Sequence, residues 1–589
     1  MEVEMERETK NRNSFWSFCS ADRHSREEDG STLARRERPG WKAMPYILGL
    51  YLDTCGNEFA ERISSFGLQA NFIQYLVNVF KLSNVAASNV INIWMGVGNM
   101  VPIIGAYFAD ATLGKFRTIA LSSFGTLLGL VIITLTAWVP HFHPPSCNSQ
   151  HQDCAGPTSM QLAILSFGLC WMVIGAGGIR PCSIPFSIDQ FDNTNAEGRK
   201  GISSFYNWYY TTQTIVQMIN ATLIVYIQGK SWVIGFGVLA VVMLLSIFLF
   251  FAGSKVYICI PAEGSILSGI SKVFGAAYKK RHLQLPSKED EGRAYYDPPL
   301  EGNKQVKMPL TEQLKCLNKA ALIRDKELSA DGLAVDTRRL CSIQQVENVK
   351  CLIKLIPIWL SGIICMIPIA QQSIYPVLQA ARMDRHFGKK FEIPAASMSV
   401  VSLITIGIFL PCYDRFMTPA LAKLTKYPGG FTCLQKIMLG NIFSILTMVV
   451  AGLVERRRRD FSLSHGAPMS VWWLSPQLAL LGLLEMFTFI GHTEFYNNES
   501  PDNMKSIGNS LSFLIQAFSN YVSALVVSIV NSITRSDGRT DWLNNDLNAG
   551  RLDYYYFLVA GLASLNMVYL LFCVKHYSYK VIVKAEEIP

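Results

Sequence analysis

Residues 231–253, SWVIGFGVLAVVMLLSIFLFFAG, contain no Asp, Glu, Lys, Arg or His. A helix needs about 20 mostly apolar residues to cross a hydrocarbon core of about 30 Å, and this run is long enough. A helix covering a soluble core keeps a polar stripe toward water, and this stretch has none. Working outward, five similar runs precede it, at roughly 45–76, 85–109, 117–139, 160–182 and 203–228. Six follow a polar insert, at roughly 349–379, 394–413, 433–454, 472–496, 506–532 and 553–574. The fold expected is an all-α polytopic membrane protein with twelve transmembrane helices in two six-helix bundles.

Charge composition agrees. The chain has 589 residues, of which 16% are charged, against about 25% in soluble domains. Of its 53 Lys and Arg and 44 Asp and Glu, 46 lie in residues 1–43 and 254–350. This divides the chain into a cytoplasmic tail expected to be disordered (1–43), an N-terminal bundle (44–253), a cytoplasmic linker (254–346), a C-terminal bundle (347–574) and a cytoplasmic tail (575–589). No cleavable signal precedes the first span, which must act as its own signal. Within the linker, 265–281 (SILSGISKVFGAAYKKR) has apolar positions at helical spacing beside Lys272, Lys279, Lys280 and Arg281. That pattern suits an interfacial helix on an anionic leaflet or a solvated linker helix. Residues 285–346 show no strong period and read as linker.

Lys and Arg in short loops set orientation. With the N-terminus inside, Lys115 with Arg117 and Arg199 with Lys200 are cytoplasmic, and the 140–159 loop, which has no Lys or Arg, is outside. The C-terminal half conflicts with this, because Arg456–Arg459 and Lys389 with Lys390 would then face outward. Of 14 cysteines, only Cys147 and Cys154 occupy the outer 140–159 loop, where an oxidising environment would permit a disulfide; two free thiols fit equally well. No span carries a paired-aspartate, zinc-ligand or Ser/His constellation, so an enzyme is not expected, nor a metal or other cofactor. The net charge of +9 is accounted for by membrane-proximal loops rather than by nucleic-acid binding.

Two blocks of six spans suggest a secondary transporter with its site between the halves. Charges left inside the spans are costly, about 2.5–3.5 kcal/mol each or more, and mark function. Glu58, Glu61 and Arg62 (EFAER) share one helix face at i, i+3 and i+4. Two carboxylates sharing one guanidinium cannot both be compensated, so one should accept a proton. Arg180 ends a glycine-rich stretch (GAGGIRP, 175–181), and Glu485 is the only carboxylate between 472 and 493. Opposite charges in opposite halves could form a gate.

These residues resemble the plant nitrate-and-peptide transporter family, part of the proton-dependent oligopeptide transporters of the major facilitator superfamily. The resemblance runs from about 41 to 580 and rests on ExxER at Glu58, Glu61 and Arg62, on GAYFADATLGKFRT (105–118) and on DQFD (189–192). It implies the superfamily fold, proton coupling through Glu58, Glu61, Arg62 and Glu485, with protons as the coupling ion, and an Arg180–Glu485 gate. It also implies a cytoplasmic loop at Asp110, Gly114, Lys115 and Arg117 that regulates the conformational cycle.

The seventh span reads PIAQQSIYPVLQ (368–379), with Ile369 where dual-affinity nitrate members carry a histidine. It also lacks the acidic residue of many peptide carriers. QQSIYPVLQA (371–380) is similar to the branch holding nitrate carriers without that histidine and carriers of glucosinolates and other glycosides. Gln371, Gln372 and Ser373 could then bond sugar hydroxyls, with Phe205, Tyr209, Tyr375 and Phe489 stacking on apolar parts and Arg180 contributing charge; helix packing is the alternative for all the aromatics. Three departures stand against the pattern: Ser187 and Ile188 before DQF, NWYYTTQT (207–214) in the fifth span, and Ala106. The expected function is proton symport of a small polar solute, first a glycosylated specialised metabolite. A low-affinity proton/nitrate symporter and a non-transporting receptor are the alternatives. The expected partners are the bilayer and the small-molecule substrate, for a monomer or weak homodimer. The plasma membrane is favoured, with the vacuolar membrane left open.

Overall fold

A computed structural model describes residues 56–145, 156–191, 201, 205, 209, 212–258, 267–284, 286, 294–298, 306–307, 309–311, 313–324, 327–328, 334–336, 339–388, 391–425, 430–500, 505–535, 541–579 and 583–584. Cys147, Cys154, Asp192, Arg199, Lys200, Lys389 and Lys390 lie outside the described residues.

The N-terminal half comprises α1 (Asn57–Asn78), α2 (Asn84–Phe108), α3 (Lys115–Trp138), α4 (Ser159–Asp189), α5 (212–230) and α6 (Trp232–Ala252). The linker contains α7 (Leu267–Lys279). The C-terminal half comprises α8 (Ile343–Cys365, continued by Ile367–Gln372 and Tyr375–Ala381), α9 (Val400–Cys412), α10 (Cys433–His465), α11 (Ser475–Glu499), α12 (Lys505–Arg535) and α13 (Leu552–His576). Among the described residues, ten helices are long and apolar enough to cross a membrane. The other two of the twelve are α1, which carries Glu58, Glu61 and Arg62, and α5. Outward-facing Phe248, Leu565, Val568 and Phe572 are more than 60% exposed, as expected where lipid rather than protein covers them.

Local sequence fixes the ends. Capping boxes start α4 (Thr158 with Gln161), α8 (Ser342 with Gln345) and α10 (Thr432 with Gln435), each contributing about 1 kcal/mol. The end of α2 widens into a π turn (Ala109–Leu113) and stops at Gly114, whose φ of 76° disfavours other residues. At the equivalent place in the second half, α9 runs into a π turn at Tyr413–Met417. The seventh span is a broken helix, with Pro368 and Pro376 opening its second and third pieces. Proline fits the first turn of a helix, where its missing N–H costs nothing, and removes a hydrogen bond when it lies deeper.

Glycines set the helix spacing in the first half. A Cβ on Gly175 would overlap Thr126 Oγ1, one on Gly178 would overlap Ser122 Oγ, and one on Gly105 would overlap the Gly177 carbonyl. The GAGG stretch therefore lets α4 lie directly against α2 and α3.

Two expectations change. The linker is folded: Val273, Ala276 and Ala277 of α7 are buried with Tyr295, Leu317, Ala320, Leu322, Cys341, Val346 and Val349. Lys280 Nζ donates to Leu322 O (2.6 Å) and pairs with Glu327 (2.7 Å). The apolar face of α7 thus meets the linker's own residues and α8, leaving Phe274 and Tyr278 exposed. Residues 285–346 gave no period because this small core is assembled from turns. The arginine run is also held by local contacts. Arg458 is buried against Glu455 (2.7 Å), Arg457 lies over Trp473 (4.8 Å) and Arg459 Nε donates to Asn548 O (3.0 Å). Charges neutralised or engaged in this way weigh less in orientation than free loop charges.

Candidate functional site

On α1, Asn57, Glu58, Glu61, Ser64 and Ser65 are all buried, and every charge among them needs a partner. Arg62 Nε donates to Glu58 Oε1 (2.9 Å) and lies 3.7 Å from Glu61 Oε2. Tyr209 Oη donates to Glu58 Oε1 (3.1 Å) and accepts from Arg62 Nη2 (3.2 Å). Glu61 Oε1 accepts from Ser65 Oγ (2.6 Å) and from Arg180 Nε (3.1 Å). Glu58 and Glu61 are 1% and 0% exposed, where an unpaired carboxylate would be very costly.

Arg180 is therefore part of the ExxER cluster. The sequence argument set two carboxylates against one guanidinium, whereas the structure supplies two of each and neutralises the cluster. Glu485, partly exposed in α11, has no hydrogen bond or ion pair among the described residues. Arg180 is paired within its own half, and the structure does not bring it to Glu485.

The other expected residues separate into groups. Gln371 is buried and donates to Ser523 Oγ, Gln372 Oε1 accepts from Gln477 Nε2 (3.3 Å), and Ser373 Oγ returns a bond to Ile369 O (2.8 Å). Tyr375 is buried with its ring 5.6 Å from that of Tyr555. Phe205 is fully buried beside Phe191 and Tyr209, each at 6.2 Å. Phe489 is half-buried against the α8–α10–α12 core. In this conformation Gln371, Gln372, Tyr375, Phe205 and Phe489 meet neighbouring helices, whereas Ser373 is exposed and bonds only within its own helix.

The loop motifs are tied together. Lys115 Nζ, in the first turn of α3, pairs with Asp189 at the end of α4 (2.5 Å). Gln190 exchanges bonds with the backbone of Ile258 (2.9 and 3.0 Å), and Phe191 packs on Phe205. Asp189, Gln190 and Phe191 thus tie the end of α4 to the start of α3, to Ile258 beyond α6 and to Phe205. Arg117 is half-buried in the same turn of α3, and the backbone of Asp110 lies in the π turn.

A narrow cleft beside Arg180 is lined by Ser65, Gln69, Trp94 and Asn99, among others. Trp94, Gln69 and Asn99 were not singled out from the sequence. The available clue was the polar stripe Glu58–Arg62–Ser65–Gln69, which repeats every three or four residues along α1.

Hydrogen bonds join the halves at the end away from the linker. Asn84 N donates to Asn545 Oδ1 (2.9 Å), its side chain donates to the carbonyls of Asn544 (3.3 Å) and Asn545 (3.2 Å), and Asn89 Nδ2 donates to Ser528 Oγ (2.9 Å). Gly96 of α2 lies against Tyr521 of α12.

Twelve helices in two bundles, a broken helix and a buried charge cluster define an integral multi-pass membrane transporter of the major facilitator type. The family model described as the POT family matches residues 116–543, so the chain belongs to the POT family, together with plant NRT1/PTR proteins. It is 50% identical to Protein NRT1/PTR FAMILY 2.13 of Arabidopsis thaliana, over 92% of this chain and 87% of that one. It is 46% identical to Protein NRT1/PTR FAMILY 2.12 of the same plant, over 94% of each. Among solved structures, an auto-inhibited POT family peptide transporter matches with TM-score 0.67 and 20% identity, over 93% of this chain and 99% of that one. The POT family transporter PepTSo matches with TM-score 0.66 and 18% identity, over 91% and 98%. At these identities the structural matches speak for the fold.

Proposed function

We propose that the protein is a proton symporter of a small polar organic solute, a glycosylated specialised metabolite, working by alternating access at the plasma membrane. The observation that carries this reading is the Arg180–Glu61 contact of 3.1 Å. Protonating Glu61 removes the negative partner of Arg180. The freed guanidinium can then engage solute or Glu485, whose side chain has no partner among the described residues. Protonation would thus weaken one contact inside the first half and allow another between halves, and a bistable charge exchange of this kind can couple proton and solute movement. Arg180 itself stays charged.

The solute class is supported by what faces the cleft. An indole (Trp94), two carboxamides (Gln69, Asn99), a hydroxyl (Ser65) and one guanidinium, set among Met95, Met172, Val173 and Ala176, suit a solute with both hydroxyls and apolar faces, such as a glycoside, better than a bare inorganic anion. The test is uptake in oocytes of a glucoside, nitrate and a dipeptide at several external pH values. Glucoside accumulation should rise with acidity and collapse in Glu61→Gln. Uptake indifferent to pH, or unchanged in Glu61→Gln, removes proton coupling. Nitrate accumulating in preference to the glucoside replaces the solute assignment, and binding without accumulation favours a receptor.

A further inference from the structure

A second cavity, of about 430 Å³, lies between the halves at the end away from the linker. Gln74, Asn78 and Asn84 line it from the first half; Arg382, Arg385 and Asn545 line it from the second. Arg385 is engaged by Glu392 at 2.5 Å. The Arg382 side chain is exposed and has no hydrogen bond or ion pair among the described residues; only its backbone N is engaged, by Gln379 O (2.9 Å). Among the described residues, no Asp or Glu belongs to the lining. The neighbouring Asp546 accepts from Asn548 N (3.2 Å) and is outside it.

We infer that this cavity is a binding site for a monosaccharide-sized polyol carrying one oxyanion group. The volume falls within the range of about 300–1,000 Å³ typical of small-ligand sites and is far larger than an inorganic ion requires. Arg382 offers a planar fork that matches a carboxylate, sulfate or phosphate. Gln74 and Asn78 supply both donors and acceptors for hydroxyls, while Asn84 Nδ2 and Asn545 Oδ1 are already engaged across the halves, which leaves Asn84 Oδ1 as an acceptor and Asn545 Nδ2 as a donor. Because both halves contribute, the site is complete only while Asn84 grips Asn544 and Asn545. By linkage, its occupant stabilises this closed arrangement. The site is separate from the charge cluster on α1 and does not depend on which solute is carried.

The test uses purified full-length protein in nanodiscs, titrated at matched ionic strength with glucuronate, glucose and acetate. Glucuronate should bind at least tenfold more tightly than either control and should slow amide exchange in residues 541–551 and at the end of α1. Arg382→Gln should bring glucuronate to the level of glucose, and Arg382→Lys should fall between. Arg382 is exposed, so these variants should fold, and an unchanged melting midpoint without ligand checks that. Acetate binding as tightly as glucuronate, glucuronate affinity within twofold of wild type in Arg382→Gln, or no glucuronate binding by the wild type overturns the assignment.

Discussion

Replacing Arg458 by Met should be among the most damaging single changes in the second half, although the position lies in a run of four arginines, Arg456–Arg459, that resembles a solvated patch. Arg458 is 1% exposed, and Nε and Nη2 reach the two oxygens of a fully buried Glu455 at 2.7 and 2.8 Å. Glu455 Oε2 also accepts from Gln379 Nε2 (2.6 Å), and Arg458 Nη1 donates to Asn548 Oδ1 (2.9 Å). Without the guanidinium, Glu455 keeps one neutral donor in a site closed to water. Breaking a buried pair costs about 3–5 kcal/mol, or about 6–20 °C in melting temperature for a unit of 150–250 residues. Removing both charges in Glu455→Leu/Arg458→Met leaves no orphan ion and should recover part of that loss, less about 1 kcal/mol for the bond to Asn548 and about 1–3 kcal/mol for the buried Gln379 Nε2 donor left without Glu455. Arg456→Met, at an exposed position, should stay within about 0.5 kcal/mol of wild type. Thermal unfolding in detergent, followed by tryptophan fluorescence, measures all three. If Arg458→Met melts with Arg456→Met, or the double variant is less stable than the single, the argument from burial is wrong.

Gly178→Val should expand the α3–α4 packing against Ser122 and Thr118, costing about 1–3 kcal/mol and lowering the monodisperse yield on size exclusion, whereas Gly237→Ala, with open space around it, should not. Charge reversal by Lys115→Asp should reduce uptake, and adding Asp189→Lys should restore part of it; no rescue would mean that the 2.5 Å pair plays no part in the cycle. Burial pushes the Cys341 thiol up, so less of it is thiolate at any pH below that raised value; peptide mass spectrometry after maleimide labelling at pH 8 should find the exposed Cys316 modified first. Asn84→Ala removes two side-chain bonds across the closed end, and hydrogen exchange in residues 541–551 should rise.

Several structural roles were readable only after folding. The repeated Arg456–Arg459 charges obstructed the topology argument because loop-charge rules assume free charges, and in this chain three of the four are engaged by Glu455, Trp473 and Asn548. The linker core was invisible to periodicity because its buried residues come from turns as well as from α7. Gln371, Gln372 and Ser373 are legible in the sequence as polar groups within a span, and Tyr375 as an aromatic beside them, but position along one helix does not say whether such a group meets solute or another helix.

The twelve spans, the break between the halves and the ExxER face are properties of the sequence alone. Hydrophobic length and helical spacing are local quantities, set by 1.5 Å of rise and 3.6 residues per turn. The partner of Glu61 is not local. Arg180 stands 119 residues away, and nothing in the spacing of either helix says which faces meet. That choice belongs to tertiary packing: Gly105, Gly175, Gly177 and Gly178 draw α4 against α2 and α3, and this close approach accompanies a neutral cluster of two carboxylates and two guanidiniums.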